Sequence, residues 1–359
     1  PLNHWAPGPG VYRDDGPAHA ALLQMKLLAA RGIPLTGSVW EGPAWMLPGR
    51  PETARPLPRE RYRDCAEALG RFLVSARDTY GVTVEIVSFN EPDLGVNFRF
   101  SSAELADFIR LAGPRFADLG LQTRFLTADT ANGASFAAYA RPLLEDPGVA
   151  PFLGPLAFHG WDALHAPEAV YESIAELGRE FGKPVWCTEA GHDSALWQAD
   201  NPWPSWENAL RTAEAYVRTL RLSQASRLDY WTYQDNYPLV DNRTSRPFPV
   251  WHVIRQLEEA LLPGSRVADS ASDQDGLQVL SAVGPQSGQF SVTLVNAAGP
   301  GQATVRGLPP HARMTLVQST GASQGHVVND AAKADAAGSV AVEVPSRSVI
   351  TLRARSGGR

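Results

Sequence analysis

The run VTVEIVSFNEPD (82–93) decides the fold. Its first eight residues are mostly apolar or β-branched and lack a clean apolar–polar alternation, the pattern of a strand buried on both faces. It closes on Asn90-Glu91-Pro92-Asp93, where polar side chains and a proline open a loop. Helical spacing precedes it at 60–79 and follows it at 102–118. Toward the N-terminus the same pair recurs: a helix at 16–31 (GPAHAALLQMKLLAAR), rich in Ala and Leu, and then a short apolar run at 33–40 (IPLTGSVW). Toward the C-terminus, helix 102–118 precedes strand 122–128 (QTRFLTA), helix 134–145 precedes strand 154–159 (GPLAFH), and helix 167–181 precedes strand 184–188 (PVWCT). Helix 205–224 then precedes strand 228–233 (LDYWTY), and helix 249–262 closes the series.

Strands that alternate with helices imply parallel pairing through crossovers. Six strands are visible, and the common closed solution is an α/β fold of the (β/α)8 TIM type. The open doubly wound sheet is the rival, but it usually carries a glycine-rich phosphate loop after its first strand, and none is seen here. From about Pro263 the texture changes. Strand-like runs at 277–283, 289–297, 302–308, 313–318 and 339–354 are punctuated by Gly, Pro, Ser and Asn. They predict a C-terminal antiparallel β-sandwich. The division is a barrel over 1–262 and a sandwich over 263–359. The Ala/Gly/Ser-rich segment 319–338 reads as a loop, and the last four residues, SGGR, are expected to fray.

Of the 359 residues, 44% are apolar and 19% charged, so a large core is feasible. The net charge of −6 is spread without a basic run, which argues against a nucleic-acid partner. No apolar stretch has the length a membrane span needs. Cys65 and Cys187 fit no metal or CxxC spacing and read as buried thiols. The ten tryptophans exceed what core packing alone requires, and flat indole faces suit the C–H faces of pyranose rings. No signal peptide is visible and the chain opens on Pro-Leu-Asn-His-Trp, so either a leader has been removed or the numbering begins inside a longer gene product. The oligomeric state is not legible.

In a barrel the chemistry lies where strands end and loops begin. Those ends carry Trp40-Glu41, Asn90-Glu91, Asp129, His159-Gly160-Trp161, Glu189, and Trp231 through Asp235. Glu91 and Glu189 close two strands that have two others between them, so three steps around an eight-fold ring set them on opposite sides of the mouth. That suits glycoside cleavage. One carboxylic acid protonates the leaving oxygen while the other carboxylate attacks the anomeric carbon; a gap of about 5–5.5 Å gives retention and a wider one inversion. The acid must hold its proton and the nucleophile must stay ionised, so their surroundings must differ. A single strand-end glutamate is often only a salt-bridge partner. Two of them, in Asn-Glu-Pro and Thr-Glu-Ala-Gly, favour chemistry.

SFNEPD (88–93) followed by VWCTEAG (185–191) resembles the clan A glycoside hydrolases, in which an Asn-Glu pair ends the fourth barrel strand and a second Glu ends the seventh. Within the clan, VWEGPAWM (39–46) resembles the WSPPAWM signature of glycoside hydrolase family 30, and FPVWHVIRQLEEALLPGSRV (248–267) resembles that family's junction with its sandwich. The resemblance implies a retaining enzyme with Glu91 as acid/base and Glu189 as nucleophile. It implies that Asn90 meets the sugar's 2-hydroxyl, that Trp231 floors the cleavage subsite, and that no metal or cofactor is needed. His159 and Trp161 stand at the family's His-x-Tyr place. There the tyrosine bonds the nucleophile, whereas this chain has an indole. Trp40, Trp45 and Gln234 are further substrate-binding candidates; core packing or a solvated loop explains them equally well. Trp197, Trp203 and Trp206 would wall the outer subsites.

The resemblance is incomplete at the start. Strand 33–40 corresponds to the third strand of the family, residues 1–5 read as the loop after the second, and the family's nucleophile-holding arginine has no counterpart. The expectation is therefore an N-terminally incomplete barrel, with residues 1–15 as an irregular patch. A non-catalytic carbohydrate-binding protein on a decayed barrel is the alternative. A metal-dependent hydrolase would have only His159, Asp129 and Asp162 to use, a thin set. The implied partner is a carbohydrate substrate, and the implied location is secreted or periplasmic.

Overall fold

The computed structural model describes residues 2–51 and 53–354. The expected fraying of 356–359 falls outside them. Contacts divide the chain into two units, residues 1–159 with 166–188 and residues 160–165 with 189–359.

The first unit is built on parallel strands β1 (Thr36–Val39), β2 (Ile86–Phe89), β3 (Arg124–Thr130), β4 (Leu153–His159) and β5 (Val185–Ala190), adjacent in that order. The last two residues of β5 belong to the second unit. Helices α1 (Leu2–Trp5), α2 (Gly16–Ala29), α3 (Tyr62–Tyr80), α4 (Ser102–Asp118), α5 (Gly133–Glu145) and α6 (Glu168–Glu180) complete it. Each expected helix of this unit forms. Helix α3 buries Tyr62, Cys65, Ala66, Leu69, Leu73 and Ala76, a stripe at helical spacing. Helix α4 starts on a capping box: Ser101 accepts from the Glu104 N–H, and the Glu104 carboxylate accepts from the Ser101 N–H.

Residues 2–5 form a helical turn, where a loop was expected. The cause is local burial. Leu2 and Trp5 are both buried, and the Trp5 indole donates to Ala68 O of α3 at 3.0 Å. Strand β1 has no pairing partner on its outer side among the described residues. A cleft of about 130 Å³ lies there, lined by Leu2, Met25, Trp40, Leu69, Phe72 and Val84.

The sheet interior is layered. Ile86, Leu126 and Ala157 cluster with Trp186 against them. Two residues farther along three of those strands come Ser88, His159 and Thr188, all polar. On β3 the same step would bring Ala128. There the strand bulges: Ala128 and Asp129 have φ of 82° and 58°, and the register with β4 slips between Ala128 and Thr130. The bulge puts Asp129 into the layer instead.

The second unit carries strand β6 (Arg227–Tyr230) with helices α7 (Trp206–Ser223) and α8 (Pro249–Ala260). Its antiparallel strands are β7 (Arg266–Ala268), β8 (Leu277–Val283), β9 (Phe290–Asn296), β10 (Gly301–Val305), β11 (Arg313–Ser319), β12 (His326–Lys333), β13 (Val340–Val344) and β14 (Ser348–Ala354). Six of them form one sheet, ordered β12-β11-β14-β9-β8-β7, and β10 pairs with β13. The fold class is thus the α/β barrel type with a C-terminal β-sandwich. Leu277, Val279, Val292, Leu294, Ile350 and Leu352 fill the sandwich core at alternate positions. Gln256 of α8 is buried and fully engaged: its amide donates to Thr351 Oγ1 at 3.0 Å and its carbonyl accepts from Ser319 Oγ at 2.6 Å. A buried amide satisfied in this way fixes the helix on the sheet.

Segment 319–338 corrects the sequence reading, since its middle is strand β12. Of its eight residues only Ala332 is buried, so burial imposed no alternation on the sequence. Its pairing with β11 is irregular as well. The two cysteines are free and buried, as expected. No helix among the described residues is long and apolar enough to cross a membrane.

Candidate active site

In the first unit, β2 runs into Asn90 and Glu91, both buried. Glu91 has a left-handed backbone, φ 44°, unusual for a residue with a side chain. Its Oε1 lies 3.0 Å from Nδ1 of the fully buried His159, the last residue of β4. The other imidazole nitrogen, Nε2, faces Asp129 Oδ1 at 3.6 Å. Asp129 also accepts from Ser88 Oγ and, at 2.5 Å, from Thr188 Oγ1. Burial acts to raise the pKa of Asp129. The facing imidazole and the two hydroxyl donors outweigh it and hold the carboxyl below its ordinary range. Asn90 donates its backbone N–H to Val39 O, while its side-chain Nδ2 is buried with no hydrogen-bond partner among the described residues. Asp93 accepts from the Ala131 N–H and the Ser135 hydroxyl, pinning this loop to the start of α5.

In the second unit, Glu189 is buried at the end of β5. Trp161 donates its indole N–H to Glu189 Oε2 at 3.3 Å. The indole packs closely on Gly191, where a Cβ would fall 2.2 Å from the ring. Tyr237 packs tilted against Trp161 with ring centroids 5.0 Å apart, and Trp203 meets Tyr237 edge-on at 5.3 Å. The Tyr237 hydroxyl donates to Ser194 O. Burial pushes the Tyr237 pKa up to about 12, with the charges of Asp193 and Glu189 adding to it. Gly160 N–H donates to Glu189 O, and Trp231 N–H to Ala190 O, so β4's exit and β6 both fix the β5 end.

The remaining candidates scatter. Trp231 is half-buried and Gln234 exposed. Trp40 lines the cleft beside β1. Trp45 donates to Ala6 O at 2.8 Å and stacks under Arg61, which ties it to the N-terminal segment. Of the tryptophan cluster, Trp203 joins the aromatic group around Trp161, Trp206 donates to Arg347 O, and Trp197 is 57% exposed. Glu41 is taken by the buried Arg55, whose Nη2 donates to it. Sequence reasoning assigned no role to Ser88, Thr188 or Tyr237. For the first two the available signal was their place two residues beyond Ile86 and Trp186.

No family model matches the sequence, and no curated protein matches it as a relative. Solved structures do match. A glycoside hydrolase family 30 subfamily 8 xylanase from Clostridium acetobutylicum superposes with a TM-score of 0.78 at 20% identity, over 94% of this chain and 84% of that one. In fold, this chain resembles the family 30 glycoside hydrolases. The catalytic domain of the family 30 xylanase C from Talaromyces cellulolyticus gives 0.74 at 17% identity, over 97% of this chain and 83% of that one. An endo-β1,6-glucanase gives 0.68 at 18% identity, over 98% and 78%.

Proposed function

We propose that this chain is a retaining glycoside hydrolase that cleaves β-glycosidic bonds by double displacement, with Glu91 as acid/base and Glu189 as nucleophile. The observation that carries the reading is the short stretch His159-Gly160-Trp161. Its first residue reaches Glu91 and its third reaches Glu189. Within its own unit each glutamate thus has a neighbour from this stretch, an imidazole beside Glu91 and an indole N–H donating to Glu189.

In the first step Glu189 attacks the anomeric carbon and Glu91 gives a proton to the leaving oxygen. In the second, Glu91 takes a proton from water, which displaces Glu189. The unpartnered Asn90 amide supplies a donor for the sugar's 2-hydroxyl. Trp231, Trp40 and Gln234 are the further substrate contacts in this reading. Trp45 is a weaker one, since Ala6 and Arg61 already engage it. Residues 1–262 act as the catalytic barrel and 263–359 as the sandwich. The fold neighbours named xylanase and endo-β1,6-glucanase support a β-linked polysaccharide as substrate, met in a secreted or periplasmic setting.

The alternative is carbohydrate binding without turnover, favoured by the unpaired outer side of β1 among the described residues. One experiment separates the two. The chain, Glu91→Gln and Glu189→Gln are given aryl β-glycosides and β-glycans, and the anomer first formed is read by NMR. Turnover with retained configuration is expected, abolished in Glu189→Gln and lost in Glu91→Gln on glycans and on aryl glycosides with poor leaving groups. Inversion would overturn the retaining mechanism, and folded protein that binds glycans without hydrolysing any would favour the alternative.

A further inference from the structure

The sheet interior holds a charged array that double displacement by two glutamates does not itself require. Asp129, His159 and Glu91 form a line in which one imidazole has a carboxylate at each nitrogen, 3.6 Å from Nε2 and 3.0 Å from Nδ1. The chain departs from regular strand geometry to make it. Alternation along β3 would bring Ala128 into the polar layer, and two successive left-handed residues bring Asp129 instead. Such conformations are unfavourable for residues with a Cβ and persist only where surrounding structure enforces them. Ser88 and Thr188 donate to Asp129, one from each side, so its carboxylate is built in as a fixed charge.

We propose that Asp129 is a positioning residue for the acid/base: it holds His159 as an imidazolium whose Nδ1–H occupies one oxygen of Glu91, so the transferable proton sits on the other. This rests on the reading of Glu91 as acid/base. The chemistry is one of charge. Nδ1 is within hydrogen-bond distance of Glu91, while Asp129 faces Nε2 at 3.6 Å, beyond that distance, so its buried carboxylate acts on the ring through its charge and favours the cation. Glu91 from the end of β2 and Asp129 from β3 face His159, and the uncharged Thr188 of β5 bonds Asp129 and the Phe158 carbonyl, with Glu189 the next residue of that strand. With Nδ1–H directed at Oε1, a proton on Oε1 would meet it head-on, so Glu91 carries its own proton on Oε2.

In glycosylation the Oε2–H bond breaks as the proton passes to the glycosidic oxygen, which keeps the electron pair of the cleaved C–O bond. The carboxylate left behind is offset by the imidazolium. In deglycosylation Oε2 receives a proton from water. His159 keeps both ring protons and Asp129 stays ionised throughout.

The test has two arms. In ¹⁵N NMR of the histidine-labelled chain, assigned by loss of the signal in His159→Gln, both ring nitrogens of His159 should be protonated at neutral pH, and Asp129→Asn should return the ring to one N–H. In kinetics, Asp129→Asn should lower kcat/KM at least about tenfold on 4-methoxyphenyl β-xylosides or β-glucosides, since general acid catalysis contributes about 10²–10⁴. It should leave the 2,4-dinitrophenyl glycosides, whose leaving group needs no proton, nearly unchanged, and move the alkaline limb of the profile to higher pH. A neutral His159 in the unaltered chain, or an equal loss on both leaving groups, overturns the proposal. If Asp129→Asn fails to fold, the spectrum of the unaltered chain still decides. Failure of the parent reading looks different: Glu91→Gln would itself show no leaving-group dependence and no rescue by azide.

Discussion

Around Glu91 the neighbours are polar and ionisable; around Glu189 they are aromatic and uncharged at neutral pH. His159 lies against the first, backed by Asp129, Ser88 and Thr188. Trp161 donates to the second, backed by Tyr237 and Trp203, and the tyrosine's own ionisation is pushed up to about 12. The contrast fits two roles. An acid/base changes its protonation twice per turnover and is served by a partner whose charge offsets the carboxylate left when the proton departs. A nucleophile has to stay ionised, and an indole N–H donates without ever accepting or titrating.

The largest test of this contrast compares leaving groups. Glu189→Gln should abolish turnover on every aryl glycoside. Glu91→Gln should cost about 10²–10⁴-fold on poor leaving groups and far less on dinitrophenyl glycosides. Azide should rescue only the second variant, by replacing water as the nucleophile that needs a base. Rescue of Glu189→Gln in its place, with inverted product, would exchange the two roles.

Trp161→Phe comes next. It keeps a ring over Gly191 and against Tyr237 but removes the N–H. A hydrogen bond to a charged group contributes about 2 kcal/mol, so kcat/KM should fall about 30-fold. The loss should be the same for all leaving groups and should leave the alkaline limb in place. A shift of that limb would mean that the indole influences the acid, and the separation drawn here would fail.

Asp129 also predicts a difference in acid stability. Its carboxyl is held below its ordinary range in the folded chain, so the unfolded chain binds the proton more readily. The stabilisation is present above the unfolded value of about 3.9 and is lost as pH falls through the lower folded value. Urea midpoints of the unaltered chain should therefore drop over this window, and those of Asp129→Asn should drop less. Tyr237→Phe, on the aromatic side, should leave the acid profile unchanged.

Much of this was legible in the sequence. Every helix expected between 16 and 262 forms; most pair an apolar stripe with good helix formers, and α2, which buries only Ala18 and Leu22, rests on its Ala and Leu content. Glu91 and Glu189 were marked by standing at the ends of buried strands. What escaped has physical reasons. The β3 bulge depends on Ala128 and Asp129 adopting left-handed backbone, for which the local sequence offers no glycine as a sign. Strand β12 escaped because its pairing is through the backbone and its side chains are solvated. The bond from Trp161 to Glu189 was legible only through the family resemblance, which put the indole where a tyrosine bonds the nucleophile; spacing along one strand does not supply it.

The smallest effect belongs to the hydroxyls that hold Asp129. Thr188→Val keeps the shape and removes one donor. The carboxylate still accepts from Ser88 and still faces His159, so only part of its anchoring is lost. One such bond is worth about 1 kcal/mol net, and kcat/KM on poor leaving groups should fall by about five-fold. Ser88→Ala should behave alike. The double variant should lose more than the product of the two, because the second loss leaves a buried carboxylate with the imidazole alone. Multiplicative losses would mean that each hydroxyl acts locally and that Asp129 does not transmit their effect to Glu91. A loss in Thr188→Val equal on both leaving groups would point to Glu189, the next residue of β5, and would place the threonine on the nucleophile's side of the comparison.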